Sequence, residues 1–342
     1  MTSSGSFLKR FKHREMEQKI ISSKNEYREF DEWLFSVNAK KVLLVCDDSI
    51  RFMGAFNSHL ESLVEEGIEF CSFNDFQPNP LYENVQKGVE LFRNASCDSI
   101  IAVGGGSSMD VAKCIKAYTK MPGNGEKGAW LDEEIKPNAI PFLAMPTTAG
   151  TGSEATRFAV IYYEDKKQSV TSESFIPETV LMDPSVLKTL PLYQKKATMM
   201  DAFSHAIESY WSVNSTEESK KYSKAAIKGV LAHMKGYLDS TEEGCAGMLK
   251  AAHVAGKAIN ITQTTAGHAM CYKITSLFGC AHGHAAILCN RVLFKYMAKH
   301  TSLCIDKRGE AYLKDTLDEI VKPWDAKMLW RALKSLRIYL IP

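Results

Sequence analysis

The sequence has no C-x-x-C pair, no apolar run approaching the roughly 20 residues of a membrane span, and no excess charge of either sign. Each absence excludes a class. The nine cysteines are an odd number at scattered positions such as Cys46, Cys71, Cys114, Cys245 and Cys289, so neither a disulfide frame nor a structural zinc site is indicated. Met1-Thr2-Ser3-Ser4-Gly5 is followed by charged residues rather than an apolar segment, which is not the pattern of a signal peptide. A reducing cytoplasm is the expected setting. With a net charge of +2 the chain shows no basic stripe of the kind that nucleic acid requires. The short cluster Lys9-Arg10-Phe11-Lys12 reads as a solvated end. Repeats and low-complexity tracts are also missing, so solenoids are not expected.

What remains is a chain of 342 residues, 45% hydrophobic and 24% charged, long enough for two domains with sizeable cores. The first half alternates strand and helix signals. Lys41 to Cys46 is a continuous apolar run ending in Asp47-Asp48, as a buried parallel strand would. Phe52 to Glu66 has helical spacing, Gly67 to Phe73 reads as a second strand, Asn84 to Asn94 as a helix, and Asp98 to Val103 as a third strand running into glycines. Val111 to Thr119 continues as a helix. This alternation implies a doubly wound α/β nucleotide-binding sheet. Past Leu190-Pro191 strand signals almost vanish, and helices are expected over 195–211, 217–238, 246–261 and 315–336. The domain boundary is placed near 185–192, giving an α/β nucleotide-binding domain over 1–188 and an all-helical metal and substrate domain over 189–342.

Two loops carry cofactor signals. Gly104-Gly105-Gly106-Ser107-Ser108-Met109-Asp110 follows the third strand and opens a helix, so backbone can approach a phosphate while the helix N-terminus faces it. It is neither a Walker loop nor G-x-G-x-x-G, and alone it reads equally as a tight strand-to-helix turn. Pro146-Thr147-Thr148-Ala149-Gly150-Thr151-Gly152-Ser153-Glu154 is a second polar loop after the apolar strand Pro141 to Met145. Two such loops, each after a parallel strand, point to a cofactor lying across the C-terminal edge of the sheet.

In the second half Asp201 and His205 are four residues apart, on one face of a helix. His268 and His282 follow, with the intervening segment broken at Gly279. One Asp and three His are a plausible set for a divalent first-row metal, iron or zinc, with a position left for substrate. Spacing alone does not decide this, and His13, His59, His233, His253 and His300 take the ordinary reading of unligated histidines.

These segments, in this order, resemble the iron-containing (group III) alcohol dehydrogenases over most of residues 40–290. The matching stretches run from Gly104 to Lys113, from Pro146 to Glu154, through Asp183-Pro184, from Asp201 to Glu208, and on to His268 and His282. The resemblance implies metal ligation by Asp201, His205, His268 and His282, with Fe2+ favoured over Zn2+. It implies nucleotide contacts from Gly104, Gly105, Gly106, Ser107 and Asp110, and from Thr147, Thr148 and Thr151. Asp47 matches the carboxylate that contacts the adenosine ribose, which favours NAD(H) over NADP(H) by repelling a 2′-phosphate. A homodimer is also implied. Two departures stand out: Tyr272 occupies a position where the family often has a second His, and the family usually continues for several helical turns past residue 342, so a short helical domain is expected.

Within the family the stretches Gly267 to Leu277 and His282 to Ala285 look most like phosphonoacetaldehyde reductases, which would make 2-hydroxyethylphosphonate. Lys273, Arg157 and His284 are then the expected partners of a phosphonate, and Tyr272 a source of the proton. The alternatives kept open are a general alcohol dehydrogenase acting on uncharged short-chain alcohols, a dehydroquinate synthase-like lyase, and a non-catalytic remnant.

Overall fold

The computed structural model describes residues 18–321. The basic cluster at Lys9 to Lys12 and the helix expected beyond residue 321 lie outside them.

A six-stranded parallel sheet in the order β1-β8-β5-β4-β2-β3 forms the first layer system. Its strands are β1 (Lys19–Ser22), β2 (Lys41–Cys46), β3 (Glu69–Phe73), β4 (Ser99–Gly104), β5 (Phe142–Pro146) and β8 (Thr179–Met182). Each residue of β4 and β5 is buried, as expected of strands covered on both faces. Helices α1 (Arg28–Ser36) and α2 (Gly54–Glu65) cover one face, packing Phe30, Trp33 and Phe56 against Val42, Leu44 and Ile101. Helices α3 (Tyr82–Ala95) and α4 (Gly106–Tyr118) cover the other, with Val89 and Ile115 against Leu43 and Ile100. Strand order reverses between β2 and β4, so the loops leaving those two strands open on a single crevice, where α/β folds bind ligands.

Four strands were not legible in the sequence. β1 is only four residues long, and β8 is similarly short. The other two form the antiparallel hairpin β6 (Phe158–Tyr163) and β7 (Lys166–Thr171), the second strand of which, Lys-Lys-Gln-Ser-Val-Thr, is nearly all polar. An edge hairpin with one solvated face needs few apolar residues, so periodicity does not reveal it.

After β8 the chain becomes helical: α5 (Leu192–Trp211), α6 (Glu217–Leu238), α7 (Glu242–Thr262), α8 (Ala266–Phe278), α9 (His282–Lys299) and α10 (Glu310–Val321). Pro191 precedes the first turn of α5, and side-chain caps from Thr216 and Thr241 start α6 and α7. Gly279, at φ +64°, ends α8 in the left-handed conformation. α5 is buried almost all round, packed by α6, α7 and α9. Among the described residues no helix is long and apolar enough to cross a membrane.

The two halves meet closely at the second cofactor loop. A Cβ added to Gly256 of α7 would lie 2.9 Å from the Cα of Gly152, so only glycine fits there. Below the loop, Lys113 of α4 is completely buried and donates from Nζ to the Ser153 carbonyl (2.6 Å), Ser153 Oγ (2.8 Å), Thr156 Oγ1 (3.1 Å) and the Phe158 carbonyl (2.7 Å). Burial pulls its pKa down to about 8, against the opposing pull of Asp110 and Glu154. Removing one member of a buried charged network leaves the others unpaired, at a cost of about 3–5 kcal/mol. Lys113→Met is therefore expected to lower unfolding free energy by about that amount in urea titrations; a loss below about 1 kcal/mol would show that the network does not hold the loop.

Candidate metal centre and cofactor crevice

The crevice begins with Asp47 at the end of β2. Its Oδ1 accepts from Ser49 N (2.9 Å), and its Oδ2 accepts from Gly105 N (3.3 Å) and Ser108 Oγ (3.1 Å). The carboxylate therefore anchors the glycine loop as well as facing the crevice, a role that position in the sequence did not suggest. Gly104 has φ +151°, and a Cβ there would lie 2.6 Å from Asp47 Oδ2, so the close approach requires glycine. No side chain caps α4, because its N-cap is Gly105. Its first turn, with Gly106 and Ser107, keeps the positive end of the helix for an anion.

The second loop packs directly on the first. Thr148 lies 3.6 Å from the Cβ position of Gly105, and the Thr151 methyl 3.0 Å from that of Gly106. Thr147 N donates to the Gly104 carbonyl (2.9 Å), and Thr147 Oγ1 accepts from Ser49 Oγ (3.3 Å). The structure thus brings together Asp47, Gly104, Gly105, Gly106, Thr147, Thr148 and Thr151. Asp110 is placed differently. Its oxygens accept from Ser153 Oγ (2.9 Å) and Val160 N (3.0 Å), so it braces α4 against the hairpin rather than lining the phosphate loop. Four residues past Gly106, it sits a full turn below the helix end.

The metal-type cluster is built on α5. Asp201 and His205 share a face, and α8 delivers His268 in its first turn. One ligand atom from each of these three buried residues lies within 4.8 Å of the other two. His268 Nε2 is 3.3 Å from Asp201 Oδ1, His205 Nε2 is 4.0 Å from it, and the two imidazoles stack at 4.4 Å. His282, first residue of α9, stands beside the group with its ring 5.4 Å from that of His268, its nitrogens against Cys271 Sγ at 3.5 and 3.8 Å. Two glycines permit the convergence. A Cβ on Gly283 would fall 2.5 Å from that of Asp201, and one on Gly267 would meet Glu208 Oε1 at 2.5 Å.

Glu208 is the functional residue whose role was not read from the sequence. It is fully buried and accepts from His268 Nδ1 (2.6 Å), Asn290 Nδ2 (2.8 Å), Thr265 Oγ1 (2.8 Å) and Thr265 N (2.5 Å). Burial pushes its pKa up, but these hydrogen bonds outweigh it and hold the carboxyl at about 2. A spacing of seven from Asp201 and three from His205 was the available signal, since it repeats the same helix face. With Nδ1–H given to Glu208, His268 Nε2 faces Asp201 Oδ1 at 3.3 Å, a contact that a proton or a cation on the imidazole side satisfies. Burial lowers the pKa of His268, but the hydrogen bonds to Asp201 and Glu208 reverse this and raise it, so a proton is drawn in. His205 Nδ1 has no hydrogen-bond partner among the described residues. The donor set of one carboxylate and imidazole nitrogens suits a divalent first-row cation.

The remaining expected residues divide. Tyr272 packs its ring 4.9 Å from that of His282, and burial together with the nearby Cys271 and Asp201 raises its pKa far above the usual phenol range. Its hydroxyl can donate a hydrogen bond. Lys273, one residue and about 100° further round α8, is exposed. Arg157 is paired with Glu173 (3.1 Å) and stacked over Phe158. His284 lies against Tyr193, whose hydroxyl is 3.2 Å from its Nδ1 and accepts from Ala281 N. None of these three joins the Asp201–His205–His268 group.

Comparison with known proteins gives a consistent pattern. The family model for iron-containing alcohol dehydrogenase matches residues 17–184, and that for the C-terminal part of the Fe-containing alcohol dehydrogenase family matches residues 195–316. Alcohol dehydrogenase 4 of Schizosaccharomyces pombe is 32% identical over 81% of this chain and 65% of its own length, so the chain spans just under two thirds of that relative. NAD-dependent methanol dehydrogenase of Bacillus methanolicus is 29% identical over 90% of this chain and 80% of its own. Among solved structures, sulfoacetaldehyde reductase from Bifidobacterium kashiwanohense in complex with NAD+ superposes with a TM-score of 0.75 at 25% identity, covering 89% of this chain and 83% of that one.

Losing the outer partner of a ligating imidazole typically weakens metal affinity ten- to a hundredfold. Glu208→Gln is expected to weaken Fe2+ binding by that factor in chelator competition, with the circular dichroism spectrum retained. Unchanged affinity would show that the Glu208–His268 bond does not orient the ligand.

Proposed function

The chain belongs to the iron-containing alcohol dehydrogenase family, and from that premise we propose that it interconverts an aldehyde and a primary alcohol using NAD(H) and a divalent metal, Fe2+ foremost. The observation that carries this reading is the buried group of Asp201, His205 and His268, with His268 fixed by Glu208. Asp201, His205, His268 and His282 are the residues assigned to hold the metal, which when bound supplies Lewis acidity toward the carbonyl oxygen. Residues 1–188 are assigned to the nucleotide and 189–342 to metal and substrate.

The protein's own groups have separate tasks. Gly105, Gly106 and Ser107 at the start of α4 receive the pyrophosphate, and Thr147, Thr148 and Thr151 supply the adjoining polar wall. Asp47 keeps a negative charge beside the loop, which disfavours a 2′-phosphate and supports NAD(H) over NADP(H). Reduction of the aldehyde consumes one hydride and one proton. The proton comes from water, a cofactor hydroxyl or Tyr272, whose ring lies 4.9 Å from that of His282.

The proposed substrate is a two-carbon aldehyde bearing a tetrahedral anion, with phosphonoacetaldehyde as the specific case. Support comes from the Gly267–Leu277 and His282–Ala285 stretches and from the structural likeness to a protein named for sulfoacetaldehyde, an aldehyde of the same length with a sulfonate in place of the phosphonate.

His268→Ala is expected to lose bound iron by elemental analysis and to reduce NADH oxidation to background; iron content and rate equal to the parent would overturn the assignment. For the substrate, protein reconstituted anaerobically with ferrous iron is expected to oxidise NADH faster with phosphonoacetaldehyde than with propanal. Equal rates on both would leave an alcohol dehydrogenase for uncharged substrates.

A further inference from the structure

Outside the ligand cluster, one buried acid–imidazole pair joins the two halves of the molecule. His253 Nδ1 stands 3.4 Å from Glu154 Oε1, and the two residues are only 7% and 3% exposed. The histidine belongs to α7, and the glutamate to the short turn Ser153–Ala155 that closes the second cofactor loop. Among the described residues His253 Nδ1 has no aligned hydrogen-bond partner, so the Glu154 carboxylate is the polar group it faces.

His253, Gly256 and Asn260 are spaced by three and four residues and form one stripe of α7. Each meets a different part of the loop: Glu154 faces His253, Gly152 touches Gly256, and Arg157 N donates to Asn260 Oδ1 (2.9 Å). From the opposite side the Lys113 ammonium holds Ser153 and feels the charge of Glu154. At its start the loop abuts α5, where a Cβ on Gly150 would lie 2.8 Å from that of Thr198, three residues before Asp201. Thr148 and Thr151 are on the side of the glycine loop, against Gly105 and Gly106.

These contacts are not equivalent. The glycine pair sets a closest approach without a direction, and Asn260 acts beyond the end of the turn. Lys113 spends its hydrogen bonds on oxygens of Ser153, Thr156 and Phe158, which leaves the imidazole beside the Glu154 carboxylate. A carboxylate this buried is costly unless a cation or donor stands against it. Gly152, at φ +60°, is the joint between Thr151 and the turn, so the orientation of the turn is passed to the threonine beside it. We propose that His253 is a positioning residue for the nucleotide: through Glu154 it fixes the turn after Thr151 and so sets where Thr148 and Thr151 meet NAD(H). The proposal rests on the NAD(H)-dependent reading above and adds a residue of the helical half that governs cofactor affinity.

The test compares iron-reconstituted parent, His253→Leu, His253→Asn, Glu154→Gln and the double variant His253→Leu/Glu154→Gln. NADH affinity is measured by calorimetry, iron content by elemental analysis, and kcat and KM for NADH with propanal. Leucine removes the donor, whereas asparagine offers an amide N–H near the place of Nδ1–H. Coupling between neighbours in one network corresponds to a factor of roughly 2 to 100. His253→Leu should weaken NADH binding and raise the KM for NADH by roughly tenfold, with kcat at saturating NADH and iron content at the parent level. His253→Asn should recover part of the affinity, and the double variant should lose no more than His253→Leu alone. Equal NADH affinity in parent and His253→Leu overturns the proposal and leaves the dehydrogenase intact. Losses that add in the double variant also overturn it, because the two residues then act separately. So does a joint fall in kcat, iron content and affinity without recovery in His253→Asn, which is general loss of packing. If His253→Leu does not fold, Glu154→Gln decides: parent affinity there overturns the proposal, and weakened affinity with the parent level kept in His253→Asn upholds it. Calorimetry decides these outcomes even where propanal is not turned over. If the parent binds no NADH, the dehydrogenase reading fails and the proposal falls with it.

Discussion

The hydrogen bond between Glu208 and His268 is the contact on which the site depends, because it decides which way the imidazole presents Nε2. A carboxylate buried this deeply costs several kcal/mol in desolvation. Four donors, from His268, Asn290 and Thr265, offset that cost, each charge-assisted bond contributing roughly 1.5–3 kcal/mol. Two of them come from the start of α8, so the same carboxylate that orients the ligand also settles the helix N-terminus that carries it. The result is an Nε2 aimed at the Asp201 oxygen, in a ligand set that suits a cation.

A second constraint is backbone proximity. Gly152 against Gly256, Gly267 against Glu208 and Gly283 against Asp201 are places where a single methyl would separate elements that must touch. The first pair docks α7 on the second cofactor loop, and the other two let α8 and α9 approach α5. Below these contacts Lys113 and Asp110 of α4 grip residues 153–160 from the sheet side. The nucleotide crevice and the ligand cluster are thus held in register by close packing and by one buried polar network.

Much of this was legible in residue order. The apolar runs of β2, β4 and β5 announce strands buried on both faces, and glycines directly after β4 announce a close backbone approach. The four-residue spacing of Asp201 and His205 puts both on one helix face whatever surrounds it. Charged side chains were harder to place. Lys273 was expected at the anion because it lies between two ligands in sequence, but on a helix neighbours in sequence face different ways, and the structure turns it to solvent. Arg157 was expected there as well, and Glu173, distant in sequence, claims it instead.

The sequence by itself determined the fold class, the two glycine-containing loops after parallel strands and the residue types able to ligate, because local period, glycine placement and donor chemistry are properties of short segments. Tertiary structure decided which charges meet. It turned Asp110 inward, gave Glu208 its four donors, stacked Lys167 on Tyr272 and paired Arg157 away from the site. Such pairings join residues far apart in the chain, and a long flexible side chain carries no local mark of the partner it will find.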